Sequence, residues 1–125
     1  MTSYVLPWPS TKLSPNGRLH WAVVAKVKAM YRYSCRLLVR EQRQAQGAAA
    51  ELPEGSLAIE LVFFAPDRRK YDRDNLVARL KAGLDGLCDA LQIDDSRFAK
   101  LTASVSTTVV KPDGQVLVTI KKADE

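Results

Sequence analysis

Apolar and polar positions divide this chain into blocks with two different periods. Tyr4-Val5-Leu6 is a short apolar run closed by Pro7 and Pro9, and it reads as a brief strand. The stretch STKLSPNGR after it is built of turn residues and reads as a loop. From His20 to Gln46 the period becomes helical. Val23, Val27, Met30, Tyr31, Ser34, Leu37 and Leu38 share one arc, predicted to be buried, while Lys28, Arg32, Arg36, Arg40 and Arg43 share an outward arc opposite. Gly47 stops this helix, and Pro53 and Gly55 keep it from resuming. Residues 57–66, LAIELVFFAP, are rich in β-formers and predict a central strand. In NLVARLKAGLDGLCDALQI (75–93) Leu76, Leu80, Leu84, Leu87 and Leu91 form a helical stripe. Gly83 and Gly86 interrupt it, either weakening the helix or allowing close packing. Strict alternation returns in 100–110 and again in 115–122, with KPDG between them as a hairpin turn, so these last two strands are expected to pair antiparallel. The order β-α-β-α-β-β predicts one α+β (mixed α/β) domain over 1–125, a small mixed sheet packed by two helices.

Composition narrows the function classes. The 125 residues are 46% apolar and 26% charged, as expected of one folded domain with a modest core. No apolar run reaches the ~18 residues of a membrane span, and the N-terminus lacks the pattern of a secretory signal. A membrane partner is therefore not expected, and cytoplasm is the expected compartment. Cys35 and Cys88 fall in helical stretches and read as reduced thiols. The net charge of +5 is unevenly spread: residues 1–46 hold eight Lys/Arg against Glu41 alone, a local +7. That footprint suits a polyanion such as nucleic acid.

The candidate chemistry lies in PDRRKYDRDN (66–75) and IDDSR (93–97). Asp72 and Asp74 are two apart, so in extended chain both carboxylates point to one side and can reach one ion. They also stand where the second helix begins, whose positive end favours ionised carboxylates. Asp94 and Asp95 follow the far end of that helix. Carboxylates without clustered His or Cys make a hard oxygen site, suited to Mg²⁺ or Mn²⁺ and not to Zn²⁺. Lys81 and Asp85 lie on the helix arc of Asp74, which points Lys81 towards the presumed metal. The structural alternative for each pair is a helix cap or a turn. An EF-hand is excluded, because counting from Asp72 its glycine and glutamate positions hold Val77 and Gly83. An aspartyl nucleophile is disfavoured by the distance of Asp72 from the strand end near Phe64. His20, the single histidine, reads as a cap or packing residue of the first helix.

The set PDRRKYDRDNL, then KAGLDGL, then IDDSR resembles the RusA family of Holliday-junction resolvases, small endonucleases of bacteriophages and prophages. LPWP near the start and SPNGRLHWA with KAMYR are also similar to segments of that family, so the resemblance spans roughly the whole chain. It implies a Mg²⁺-dependent homodimer, Mn²⁺ substituting, that nicks two opposed strands of a four-way DNA junction during recombination and repair. It implies no small-molecule cofactor, a bacterial cytoplasmic setting, and a preference for sites next to CC dinucleotides. The family's catalytic aspartates fall on Asp72, Asp74 and Asp95, with Asp94 as a further ligand. Its essential lysine falls on Lys81 if the KAGLDGL block is aligned as a unit, and on Ala78 if residues are counted from DNL. On this reading Arg68, Arg69, Lys70 and Arg73 hold phosphates near the site, and Lys28, Arg32, Arg36 and Arg40 hold neighbouring duplex arms. Two other readings remain: a non-catalytic basic nucleic-acid-binding protein with structural aspartates, and a metal-dependent phosphoesterase for smaller substrates.

Overall fold

The computed structural model describes residues 1–124. The chain runs β1 (Thr2–Pro7), α1 (Trp21–Gln46), β2 (Leu57–Phe64), α2 (Arg73–Leu91), β3 (Phe98–Val105) and β4 (Gln115–Lys122). Short 3-10 turns occupy Thr11–Leu13, Gly47–Ala50 and Asp95–Arg97. The class is α+β: two helices pack against a four-stranded mixed sheet, in the predicted element order. No helix among the described residues is long and apolar enough to cross a membrane.

One expectation about the sheet fails. The strands stand in the order β1-β4-β2-β3, so β3 and β4 are not neighbours and KPDG is not the turn of a hairpin. β3 pairs with β2 in parallel, whereas β4 lies antiparallel between β1 and β2. Strand β3 also stops at Val105 rather than continuing to 110. The link from 106 to 114 instead crosses the end of β2. Ser106 donates to the Phe63 carbonyl and Val110 to that of Ala65, at 2.9 Å each. Gly114 permits the crossing, since its φ is +73° and a Cβ there would stand 2.8 Å from the Phe64 carbonyl oxygen. Burial explains the arrangement. Val116, Val118 and Ile120 are fully buried, and a strand so placed gains most with a hydrogen-bonded neighbour on each side.

Both helices cover one face of the sheet. Tyr4, Leu6, Ile59, Leu61, Phe63 and the three β4 residues meet Cys35 and Val39 of α1 and the leucines of α2. The Tyr4 hydroxyl is a buried polar atom without a hydrogen-bond partner. The two edges of the sheet are treated differently. At β1, Gln42 of α1 clasps the strand: its amide nitrogen donates to the Val5 carbonyl and its oxygen accepts from the Val5 N–H, both at 2.8 Å. Gln46 adds a bond to the Ser3 carbonyl at 2.9 Å. That edge is closed to further strands. At β3 the residues 99–102 are exposed, and among the described residues the strand pairs with β2 alone.

The buried side of α1 also differs from expectation. Met30 and Leu37 are 60% and 44% exposed, and Val23, Ser34 and Leu38 are exposed too. The inward stripe is Tyr31, Cys35 and Val39, continued by Gln42 and Gln46. The glycines of α2 select it. A Cβ on Gly86 would overlap the Arg32 carbonyl oxygen, and one on Gly83 would stand 2.7 Å from the Tyr31 ring. The helices thus approach nearly backbone to backbone. Tyr31 fills the space beside Gly83, and its hydroxyl donates to the Pro7 carbonyl at 2.6 Å.

Candidate functional site

The loop from β2 to α2 is organised by Asp67. Its carboxylate accepts from the Arg69 backbone N–H and Nε, both at 3.0 Å, and from the Tyr71 hydroxyl at 2.9 Å. These hydrogen bonds from Arg69 hold the Asp67 carboxyl below its ordinary range. The Tyr71 ring packs edge-on against Trp8 at 5.2 Å, and Trp8 packs edge-on against Phe63, which fixes the loop to the core. Arg69 is therefore committed within the loop. Arg68 and Lys70 are exposed and have no carboxylate partner among the described residues.

Asp72 is the N-cap of α2, its Oδ1 accepting from the N–H of Asp74 at 2.9 Å and of Asn75 at 3.5 Å. Asp74 stands in the first turn with its side chain 85% exposed, 3.5 Å from Arg73 Nε. The predicted pair is thus side by side on the positive end of the helix. Asn75 ties this end to the N-terminal loop through a 2.9 Å bond to Ser14 Oγ.

Beyond the other end of α2, Asp94 caps the 3-10 turn by accepting from Ser96 N–H at 2.8 Å. That bond holds the Asp94 carboxyl below its ordinary range. Asp95 instead lines a cleft of about 330 Å³ between α2 and β3, together with Lys81, Asp85 and Cys88 over a floor that includes Ile59 and Phe98. Burial, with Asp95 and Asp85 adding to it, pushes the Cys88 thiol up to about 11. Ala78, the other candidate lysine position, lines the same cleft. Asp74 borders the adjoining depression with Arg73, and Val77 and Leu101 belong to both.

The four carboxylates predicted to hold one or two Mg²⁺ ions are not gathered within one protomer. Among the described residues, no three His, Cys, Asp or Glu side chains come together as an ion site. Asp72 and Asp74 sit at one end of α2, Asp94 and Asp95 past the other. The cause is the 19-residue helix between them, roughly 28 Å long at 1.5 Å per residue. Asp74 and Asp85, on one arc, are still about 16 Å apart along the axis. What the two pairs share is a flank: one member of each, Asp74 and Asp95, borders the groove between α2 and β3, next to the unblocked sheet edge.

The basic arc of α1 is exposed at Lys28, Arg32, Arg36 and Arg40, as expected, and runs beside α2. Arg32 forms a two-bond pair with Asp89, at 2.7 and 2.9 Å, which clamps the helices and holds the Asp89 carboxyl below its ordinary range. Arg36 and Arg40 line a crevice with Arg43 and have no carboxylate within ion-pair distance among the described residues; Lys28 is equally unpaired. His20 caps α1, its Nδ1 accepting from Ala22 N–H at 3.2 Å. Sequence reading missed Arg79. It lies on the core side of α2, is only 6% exposed, and donates to the Pro9 and Ser10 carbonyls at 2.5 and 3.2 Å. Its guanidinium stands 5.9 Å over the Trp8 ring. The available signal was its position on the wheel, beside the leucine stripe rather than across from it.

No family model matches the chain. It is 40% identical over 121 residues to a protein of Xylella fastidiosa (strain Temecula1 / ATCC 700964) described as "Uncharacterized protein". The alignment spans 96% of this chain and 76% of that one, and the two belong to one family.

Proposed function

We propose that this chain, as a member of that family, is a Mg²⁺-dependent, structure-selective endodeoxyribonuclease that resolves four-way DNA junctions as a homodimer. The observation that carries the reading is the flank between α2 and β3. Asp74, Asp95 and Lys81 border it, Asp72 caps α2 two residues before Asp74, and it adjoins the edge of the sheet left unpaired. A second copy laid antiparallel along β3 reverses the direction of α2. The N-terminal acids of one protomer then come beside the C-terminal acids of its partner, twice over, as two-fold symmetry requires. Two such sites match the two opposed strands of a junction.

The donor set fits the ion in kind. Aspartate oxygens are hard ligands, and Asp72 uses one oxygen as a cap while keeping the other. A bound Mg²⁺ supplies charge neutralisation at the phosphate and acidifies water. Lys81 adds positive charge against the phosphate oxygens. Arg68 and Lys70 hold the strand in register, and Arg36 and Arg40 hold a neighbouring arm. Water attacks phosphorus in line, the P–O3′ bond breaks, and the products are a 5′-phosphate and a 3′-hydroxyl.

A specific observation favours a second reading. Asp72 and Asp94 both serve as caps, which suffices to explain them in a non-catalytic nucleic-acid-binding protein. Incubating the chain with labelled four-way junction or linear duplex, in Mg²⁺ or EDTA, separates the two. Paired symmetric nicks in the junction, requiring Mg²⁺ and lost in Leu101→Asp together with the dimer, support the nuclease. Junction binding without nicking supports the second reading, and equal cutting of linear duplex points to an unselective nuclease.

A further inference from the structure

Beside the α2–β3 flank lies a different groove, on the opposite side of Lys81. Ala25 and Ala29 of α1 face Ala78 and Ala82 of α2, and these short side chains leave the N-terminal halves of the helices parted. The resulting space is about 830 Å³ and is bounded by the loop around Leu13–Gly17. Its charge is mainly positive: Lys28, Arg32, Arg79 and Lys81 line it against Asp85. Arg32 is already neutralised by Asp89. Arg79 is not neutralised. It is buried, it bonds only to backbone carbonyls, and among the described residues no carboxylate lies within ion-pair distance. A buried cation without a counter-ion is costly for a fold to keep.

Trp21 stands at the side of this groove. It is the first residue of α1 and is 76% exposed, so the core does not use it. Its ring lies 5.4 Å from that of His20, tilted by 33°. An exposed indole beside unpaired cations is the combination that binds unpaired nucleotides, where a base stacks and a phosphate is neutralised. An acidic peptide satisfies the cations but gives Trp21 no flat partner. A duplex keeps its bases stacked internally, and the volume is that of a small-ligand site.

We propose that this groove is a subsite for unpaired nucleic-acid strand, in which a base stacks on Trp21 and its phosphates lie against Lys28 and Lys81, with the buried charge of Arg79 behind them. The inference rests on the nucleic-acid part of the proposed function and not on the nuclease part. At the exchange point of a four-way junction, where pairing is interrupted, such a strand is available.

The test uses the full chain in EDTA, so that nicking plays no role. Binding of a fluorescently labelled twelve-residue oligothymidylate is measured by anisotropy, alongside a blunt duplex of equal length. Wild type is compared with Trp21→Ala and Lys28→Glu, and each variant's melting temperature verifies folding. Trp21→Ala is expected to bind the single strand about tenfold more weakly, as loss of base–aromatic stacking does, with duplex binding unchanged. Lys28→Glu is expected to weaken it too and to flatten its salt dependence. Unchanged oligothymidylate binding by Trp21→Ala overturns the proposal. So does displacement of the oligothymidylate by polyglutamate at equal charge concentration, which assigns the groove to acidic protein partners. Failure here leaves junction nicking in Mg²⁺ intact as a result, and absence of nicking leaves this binding intact.

Discussion

Asp72 has two claims on one carboxylate, and replacing it by asparagine separates them. As the N-cap of α2, its Oδ1 accepts from two backbone N–H groups, at 2.9 and 3.5 Å. Asparagine offers a carbonyl oxygen in the same place and ranks with aspartate as a cap. What Asp72→Asn loses is the charge facing the helix dipole, about 0.3–1 kcal/mol. In a chain of this size that lowers Tm by about 1–4 °C. Asp72→Ala removes the cap itself and costs about 0.5–2 kcal/mol. As a metal ligand the same residue is far more sensitive. Partners merely behind a ligand are worth about 10–100-fold, so losing a charged ligand should slow nicking by about 100-fold or more. The assay is single-turnover nicking of an end-labelled junction in Mg²⁺, with a thermal melt of each variant. Asp74→Asn is the companion: its exposed side chain makes no capping bond, so stability should stay within about 0.5 kcal/mol of wild type while nicking falls as far. If Asp72→Asn nicks within about threefold of wild type and melts normally, Asp72 is a cap only and the proposed ligand set is wrong.

Gly86→Ala places a Cβ against the Arg32 carbonyl. Overpacking of about 1–3 kcal/mol should outweigh about 1 kcal/mol of helix propensity gained, and a calorimetric Tm at or above wild type would show that the helices part easily. Tyr4→Phe removes a buried hydroxyl that has no partner, so stability in urea should rise by about 1 kcal/mol; a fall would mean the hydroxyl is satisfied. Asp89 has its folded pKa depressed by Arg32. Its contribution is thus present above the unfolded carboxylate range, near pH 4, and is lost as pH falls through the folded value. The Tm gap between wild type and Asp89→Asn should be full at pH 6 and close below about pH 4, whereas a gap that widens in acid would reverse the sign. Replacing Arg36 and Arg40 together by alanine should weaken junction binding in EDTA and make the plot of log K against log salt shallower by about 2. An unchanged slope would remove this crevice from the DNA path.

The elements were legible because burial imposes period. Leu76, Leu80, Leu87 and Leu91 are all buried, as their spacing required. Pairing was not legible, because alternation in β3 and β4 reports which face is covered and not which strand lies alongside. The two strands are close in sequence, and that suggested a hairpin; β4 instead takes the central position between β1 and β2. In α1 two apolar stripes overlap through Val27 and Tyr31, and composition cannot choose between them. The choice is made by Gly83 and Gly86 on the other helix. The sequence showed these glycines and both of their consequences, but it did not show which side of α1 they would meet.

The site divides along the same line. Each aspartate pair was placed correctly with respect to its own end of α2, since caps and helix starts are local facts. That they would meet was inferred from type alone, and type carries no distance. Asp95 shares its cleft with Val77 and Ala78, about one turn along α2 from Asp74, yet among the described residues the carboxylates do not come together as an ion site. Either the pairs never cooperate, and Asp72 and Asp94 are explained by the N–H groups they cap, or a second α2 running the opposite way brings unlike ends together. The edges of the sheet bear on that choice. Gln42 and Gln46 close β1 with three side-chain bonds, while β3 carries no comparable guard among the described residues. An edge left open beside the acids is the geometry a two-fold partner needs, so nicking and dimerisation should be lost together at Leu101.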